Sequence, residues 1–175
     1  MSWAPYVDGY LAKHYLNDTD FLEAPCVDGG ILGNDGTVWA ATSNLALQKG
    51  LKIKVDKDDG SSEDVTINEF DNLKDCMENG GLVTKKGGVY INKVKYVAID
   101  KTTFGEANEF VQYFKTKDGG ASIGRTKKGN YVIGIWTSHA NSYPNGDKKK
   151  PQKQDAYHCN IAVEKLSSFL SENGY

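Results

Sequence analysis

Between residues 81 and 136 the chain alternates short β-prone runs with glycine-centred turns, and that spacing admits only an antiparallel sheet. The runs 81–84, 89–91, 94–100, 110–115, 121–125 and 131–136 are punctuated by Lys86-Gly87-Gly88, Asn92-Lys93, Asp118-Gly119-Gly120 and Lys128-Gly129-Asn130. A parallel pair needs a crossover of about a dozen residues or more, and these turns are too short to hold one.

The flanks read differently. Trp3, Tyr6, Val7, Tyr10, Leu11 and Tyr15 recur at gaps of three and four, which predicts a helix over 2–16 with Ser2 as N-cap and Pro5 in its first turn. Residues 24–42 hold two strands joined at Asn34-Asp35-Gly36 as a hairpin. A charged hairpin follows over 51–67, where Leu51, Ile53 and Val55 alternate with Lys52, Lys54 and Asp56 before the turn at 58–62. Such a hairpin is marginal alone and is expected to move or to lean on the body. Thr66-Ile67-Asn68-Glu69 has the spacing of a capping box. Ile67, Phe70, Leu73 and Met77 form the buried stripe of the next helix, which is expected to stop at Asn79-Gly80-Gly81. Residues 137–156 lack periodicity and read as an exposed loop. The last helix is predicted over 157–172, with Ala162, Leu166, Phe169 and Leu170 as its apolar stripe. The fold class is therefore α+β, a central antiparallel sheet with helices at both ends of the chain.

Length and charge exclude several functions. At 175 residues the chain fits one domain, 1–175, which buries roughly 70% of its unfolded surface. The formal charge of −2 gives no global field for nucleic acid. No apolar stretch approaches the ~18 residues of a membrane span, and the N-terminus lacks the apolar centre of a signal peptide. Cys26, Cys76 and Cys159 are odd in number and widely spaced, so free thiols in a reducing compartment are expected rather than a disulfide framework or a zinc site. His14, His139 and His158 are scattered, Gly29-Gly30-Ile31-Leu32-Gly33 does not follow a dinucleotide fingerprint, and no phosphate loop is completed. Neither an enzyme nor a cofactor is expected.

Three segments carry a more specific pattern. The opening Ser2-Trp3 with Tyr6-Val7-Asp8, the run Gly30-Ile31-Leu32-Gly33 with Asp35-Gly36 and Val38-Trp39-Ala40, and the closing Cys159-Asn160, Leu170 and Gly174-Tyr175 resemble profilin. The resemblance spans almost the whole chain and implies a sheet with the N- and C-terminal helices packed on one face. It also implies a groove for proline-rich peptides made by Trp3, Tyr6, Trp39, Phe169 and Tyr175. A polyproline II peptide is already ordered and exposes unpaired carbonyls, so flat rings with hydrogen-bond donors capture it at low entropic cost. Phe169 stands where animal profilins carry histidine and plant ones tyrosine, so one donor is missing here.

By the same resemblance an actin face comprises Lys95, Ala98, Asp100, Lys115, Lys117, Arg125 and Asn160. Two departures stand out: Asp100 replaces a residue that is often basic in animal profilins, and Asn92-Lys93 replaces a typical Gly-Gly. The insertions at 51–67 and 138–157 add to the family pattern, and the first ends in the Ile67-Asn68-Glu69 of apicomplexan profilins, in which a charged hairpin is an arm reaching actin. An alveolate or other protist profilin is thereby implied. Lys148, Lys149, Lys150 and Lys153 in the second insertion suit an acidic partner or anionic phosphoinositides. The expected protein is a cytoplasmic, cytoskeleton-associated monomer that binds monomeric actin and proline-rich segments of formin-like proteins and regulates actin polymerisation. Two rivals share the pattern: a PAS-like small-molecule sensor domain, and a profilin fold that keeps only peptide or lipid binding.

Overall fold

In the computed structural model, residues 2–12, 25–81, 87–139, 141–142 and 152–175 are described. A short helix α1 (Ala4–Val7) runs directly into a π-helical turn (Asp8–Ala12). Strands β1 (Asp28–Leu32) and β2 (Val38–Ala41) form the first hairpin, and β3 (Leu51–Asp56) and β4 (Ser62–Ile67) the second. Helix α2 (Glu69–Glu78) precedes β5 (Val89–Ile91), β6 (Val94–Thr103), β7 (Phe110–Thr116), β8 (Gly119–Arg125) and β9 (Tyr131–Thr137). A two-residue ladder, β10 (Asn141–Ser142) with β11 (Gln152–Lys153), leads to α3 (Ala156–Glu172).

Among the described residues, seven strands build one antiparallel sheet in the order β2-β1-β9-β8-β7-β6-β5. Each step from β9 back to β5 joins neighbours in sequence, as tight turns demand. The chain-distant pairing of β1 with β9, Gly30 opposite Ile133, draws the two ends of the chain together. Strand alternation then divides the core. On one face Leu73, Cys76 and Met77 of α2 pack on Leu32, Tyr131, Ile133, Ile123, Phe110 and Phe114. On the other, Val7 and Leu11 lie against Val163, Leu166 and Leu170 of α3 over Ile31, Val111 and Val132. Both terminal helices therefore share one face, as expected. Leu166 and Leu170 have no exposed surface, which stabilises the helix against the sheet by about 1.5–3 kcal/mol per side chain.

Several local expectations are corrected. The N-terminal helix is capped at Trp3 without a side-chain bond, so Ser2 is not its cap; α-helical geometry lasts one turn before the π-helical segment, and residues 13–16 lie outside the described ones. The capping box does not form either. Asn68, not Thr66, is the N-cap of α2, and it makes no side-chain cap bond. Glu69 is instead fully buried and accepts three backbone N–H groups, those of Gln48 (2.7 Å), Asn92 (3.0 Å) and Lys93 (2.6 Å). Asn92 (φ 49°) and Lys93 (φ 68°) are both left-handed, the backbone that a two-residue hairpin turn requires and glycine would adopt freely. The buried carboxylate holds that strained turn in place.

Gly119 and Gly120 belong to β8, so the turn is Lys117-Asp118. The expected strand at 81–84 falls outside the described residues apart from Gly81, which with Gly80 follows α2 at positive φ. The loop of 137–156 begins as the last residue of β9 and contains β10 and β11, while 143–151 lie outside the described residues.

Candidate functional site

Trp3, Tyr6, Trp39, Phe169 and Tyr175, spread over the whole sequence, meet in one place. The Trp3 ring stacks on Trp39 at 5.3 Å between centroids and 26° between planes. It also meets the edge of Tyr175 at 4.8 Å and lies 5.5 Å from Tyr6. Tyr6 in turn stacks on Phe169 at 5.3 Å and 27°. All five are half-buried and rest on the apolar layer beneath the terminal helices. Four local events create the cluster. α1 places Trp3 and Tyr6 one turn apart. β2 presents Trp39 beside them. α3 brings up Phe169 through its outer face. Finally the chain beyond Asn173 turns back, with the Tyr175 N–H donating to the Leu170 carbonyl (2.9 Å).

Tyr10 was missed from this set. Its ring lies 6.2 Å from Phe169, and it forms a cleft with Glu164, Lys165, Ser168 and Glu172. The three- and four-residue spacing of Trp3, Tyr6 and Tyr10 carried that signal. The cluster can offer a continuous aromatic floor, with indole N–H and phenol O–H groups at its margin, to an extended apolar chain.

The basic residues gather elsewhere. The aromatic cluster borders β2, whereas Lys95 and Asp100 lie on β6, five strand positions along the sheet, or ~24 Å at the usual strand spacing. Val97 is directly opposite Lys115, and Asp100 opposite Tyr113, so alternation puts Lys95, Val97, Asp100, Tyr113 and Lys115 on one face. Lys117 follows at the β7–β8 turn. Asn160, early in α3, accepts a hydrogen bond from the Ser122 hydroxyl of β8 and borders the same face. The other two do not join this group. Ala98 packs toward the α2 core, and Arg125 sits at the far end of β8, where its Nη1 donates to the Asn108 carbonyl (2.9 Å).

Sequence reasoning overlooked the apolar part of this face. Val97 and Ile99 are 43% and 54% exposed on β6, and Tyr157 at the start of α3 is 67% exposed, whereas Val94, 44% exposed, has the opposite parity, that of Tyr96 and Ala98. An apolar residue at both parities of β6, in Val94-Lys95-Tyr96-Val97-Ala98-Ile99, was the available signal. Only one parity can point into the core.

Asp155 caps α3, accepting the His158 N–H at 2.8 Å and facing the His158 ring at the same distance. The hairpin of β3 and β4 forms its own two-stranded sheet, resting on the body through Ile53, Ile67 and Tyr90. The lysine run 148–150 lies outside the described residues. Among the described residues, no helix is long and apolar enough to cross a membrane.

Comparison with known proteins agrees with this architecture. The family model for profilin matches residues 1–175. Acanthamoeba castellanii profilin IA superposes with a TM-score of 0.61 at 20% identity, covering 99% of this chain and 100% of that one. Profilin II of the same organism gives 0.60 at 20% identity over the same shares, and profilin IB 0.58 at 22%. At these identities the solved structures speak to the fold alone.

Proposed function

This chain belongs to the profilin family of actin-binding cytoskeletal regulators, which are not enzymes, and on that premise we propose that it binds monomeric actin and proline-rich peptides through two separate surfaces. The observation that carries the peptide half is the convergence of Trp3, Tyr6, Trp39, Phe169 and Tyr175 into one contiguous aromatic surface. Nothing in core packing requires five half-exposed rings to meet, whereas capture of proline rings does. Formin-like proteins, which carry such segments, are the natural partners.

The actin half rests on the face of β6 and β7. Exposed Val97 and Ile99 supply apolar area, and Lys95, Lys115 and Lys117, with Asp100 among them, surround it with charge of net positive sign. An apolar centre with a charged rim is the usual anatomy of a protein interface, the charges setting orientation and association rate. This combination favours an actin-binding profilin over one that has kept only peptide or lipid binding. The family match replaces the PAS-like reading. Anionic phosphoinositides are a third partner on this account, drawn by Lys148, Lys149, Lys150 and Lys153. The site of action is the cytoplasm, and the protein acts as a monomer with its domain spanning 1–175.

Retention on poly-proline resin, with the eluate probed for actin, tests both halves together. Actin co-eluting with retained protein supports the two-surface arrangement. Retention without actin removes the β6–β7 assignment, and failure of retention removes the groove.

A further inference from the structure

We propose that Cys26 and Cys159 are a reversible dithiol–disulfide pair, a redox modification site that staples the segment entering β1 to the first turn of α3. The two sulfurs lie 3.6 Å apart although the residues are separated by 133 positions in sequence. Both are free thiols and both are buried, at 1% and 0% exposure. A small rotation of each side chain covers the remaining ~1.5 Å to a disulfide bond.

The surroundings admit the pair specifically. Gly134 of β9 lies under it, and a Cβ there would meet Cys26 Sγ at 2.9 Å and Cys159 Sγ at 3.2 Å. The seat for two sulfurs exists because that position carries no side chain. Cys26 is also tied to the N-terminal element, its N–H donating to the Leu11 carbonyl (3.1 Å) at the end of the π-helical turn. A disulfide would therefore fix α3 to the segment that is hydrogen-bonded to the end of the π-helical turn.

The oxidant required is a peroxide. One thiolate attacks the peroxide oxygen, the O–O bond breaks, and a sulfenic acid and one water form. The second sulfur then attacks the sulfenyl sulfur, the S–S bond forms, and hydroxide leaves and takes up the second thiol's proton as water. Two thiols lose two electrons in all and hydrogen peroxide becomes two waters; a dithiol reductant reverses the change. Burial, reinforced by the contact with Cys159, pushes the Cys26 thiol well above its ordinary range. Reaction therefore waits on local opening, which makes the pair slow and selective for sustained oxidant. Cys76 is an internal control: it is equally buried, on the opposite face of the sheet, with its thiol pushed up to about 12 and directed at the Gly81 carbonyl.

The test is to treat the full chain with graded hydrogen peroxide, block the remaining thiols, and digest it with trypsin without reduction. The expected product is a covalent link between the peptides of residues 14–49 and 154–165, in a monomer lighter by two hydrogens. Its melting temperature should rise by roughly 5–15 °C, because a long loop is closed in the unfolded chain, and dithiothreitol should reverse the rise. Cys159→Ala should lose the rise while Cys76→Ala keeps it. If Cys159→Ala does not fold, the peptide map of the wild type decides alone. Unreacted thiols at excess peroxide, sulfinic acid without a bridge, or a bridge that uses Cys76 or a second molecule would each overturn the proposal.

Discussion

Replacing Trp3 by alanine removes the ring on which the aromatic cluster turns, and its consequences for binding and for stability separate cleanly. Trp3 contacts Tyr6, Trp39 and Tyr175 at 5.5, 5.3 and 4.8 Å between centroids. Aromatic pairs contribute about 0.5–1.5 kcal/mol each beyond their buried area. Simple addition for three pairs overestimates the loss, because the remaining rings are half-exposed and can close over the gap. A fall of about 1–3 kcal/mol in stability is expected, or roughly 3–10 °C in melting temperature for a chain of this size. The fold survives, since Val7, Leu11, Leu166 and Leu170 beneath the rings are untouched. Binding suffers more. A central aromatic anchor typically contributes 2 kcal/mol or more, so affinity for a proline-rich peptide should fall by about 30-fold or beyond. Isothermal titration at 15 °C, where the variant is folded, measures this directly. Trp136→Phe, outside the cluster, is the control and should bind normally. A folded Trp3→Ala variant with wild-type affinity would refute the groove.

Four further outcomes follow from the same structure. Glu69→Gln keeps the side chain's shape but puts an amide N–H₂ against backbone donors. Losing one or two charge-assisted bonds at about 1.5–3 kcal/mol each should lower the melting temperature by roughly 5–15 °C in calorimetry. Replacing residues 54–64 by a short Gly-Ser turn removes half-buried Val55 and the exposed Lys57–Glu63 pair (3.1 Å) but leaves Ile53, Ile67 and Tyr90 in contact. Such a pair is worth at most about 1 kcal/mol, so melting should shift by less than roughly 4 °C, and a larger drop would make the hairpin integral to the core. Reversing the charge of Lys95, Lys115 and Lys117 together should slow association with actin and leave poly-proline retention intact, as stopped-flow and resin assays can show. Asp155→Ala should cost about 1 kcal/mol at pH 7 by removing the cap of α3. Burial pushes the Asp155 carboxyl up, but the His158 backbone N–H and imidazole outweigh that and hold it below its ordinary 3.8. Its contribution is therefore complete above pH 3.8 and is lost as pH falls through the lower folded value, so the difference between wild type and variant should shrink in denaturant titrations below that pH.

The sheet was legible because short turns leave one topology, and α3 because Ala162, Leu166 and Leu170 mark a single stripe. The five aromatic positions were legible only through family resemblance. Trp39 and Tyr175 are 136 positions apart, and nothing local says that they meet. Tertiary contacts overrode local rules in three places. Glu69 followed a capping-box spacing, yet two loops competed successfully for its carboxylate. Asn92 and Lys93 took left-handed backbone without glycine because that same carboxylate holds them there. The N-terminal helix, regular by periodicity, widened to π-helical geometry at Asp8–Ala12 while keeping Leu11 buried against the sheet. The pairing of Cys26 with Cys159 could not be read from spacing, since it depends on β1 lying beside β9 and on the room above Gly134.

Two distant surfaces of one small sheet are proposed to serve two different partners, and a heteronuclear NMR titration can tell them apart. Adding a proline-rich peptide to isotope-labelled protein should shift the indole N–H signals of Trp3 and Trp39 and the amide of Tyr175, saturably, while the Trp136 indole and the amides of Lys95, Val97 and Lys115 stay in place. Monomeric actin added afterwards should broaden the second group with the peptide still bound. Peptide-induced shifts centred on β6 and β7, or release of the peptide by actin, would contradict the two-surface account.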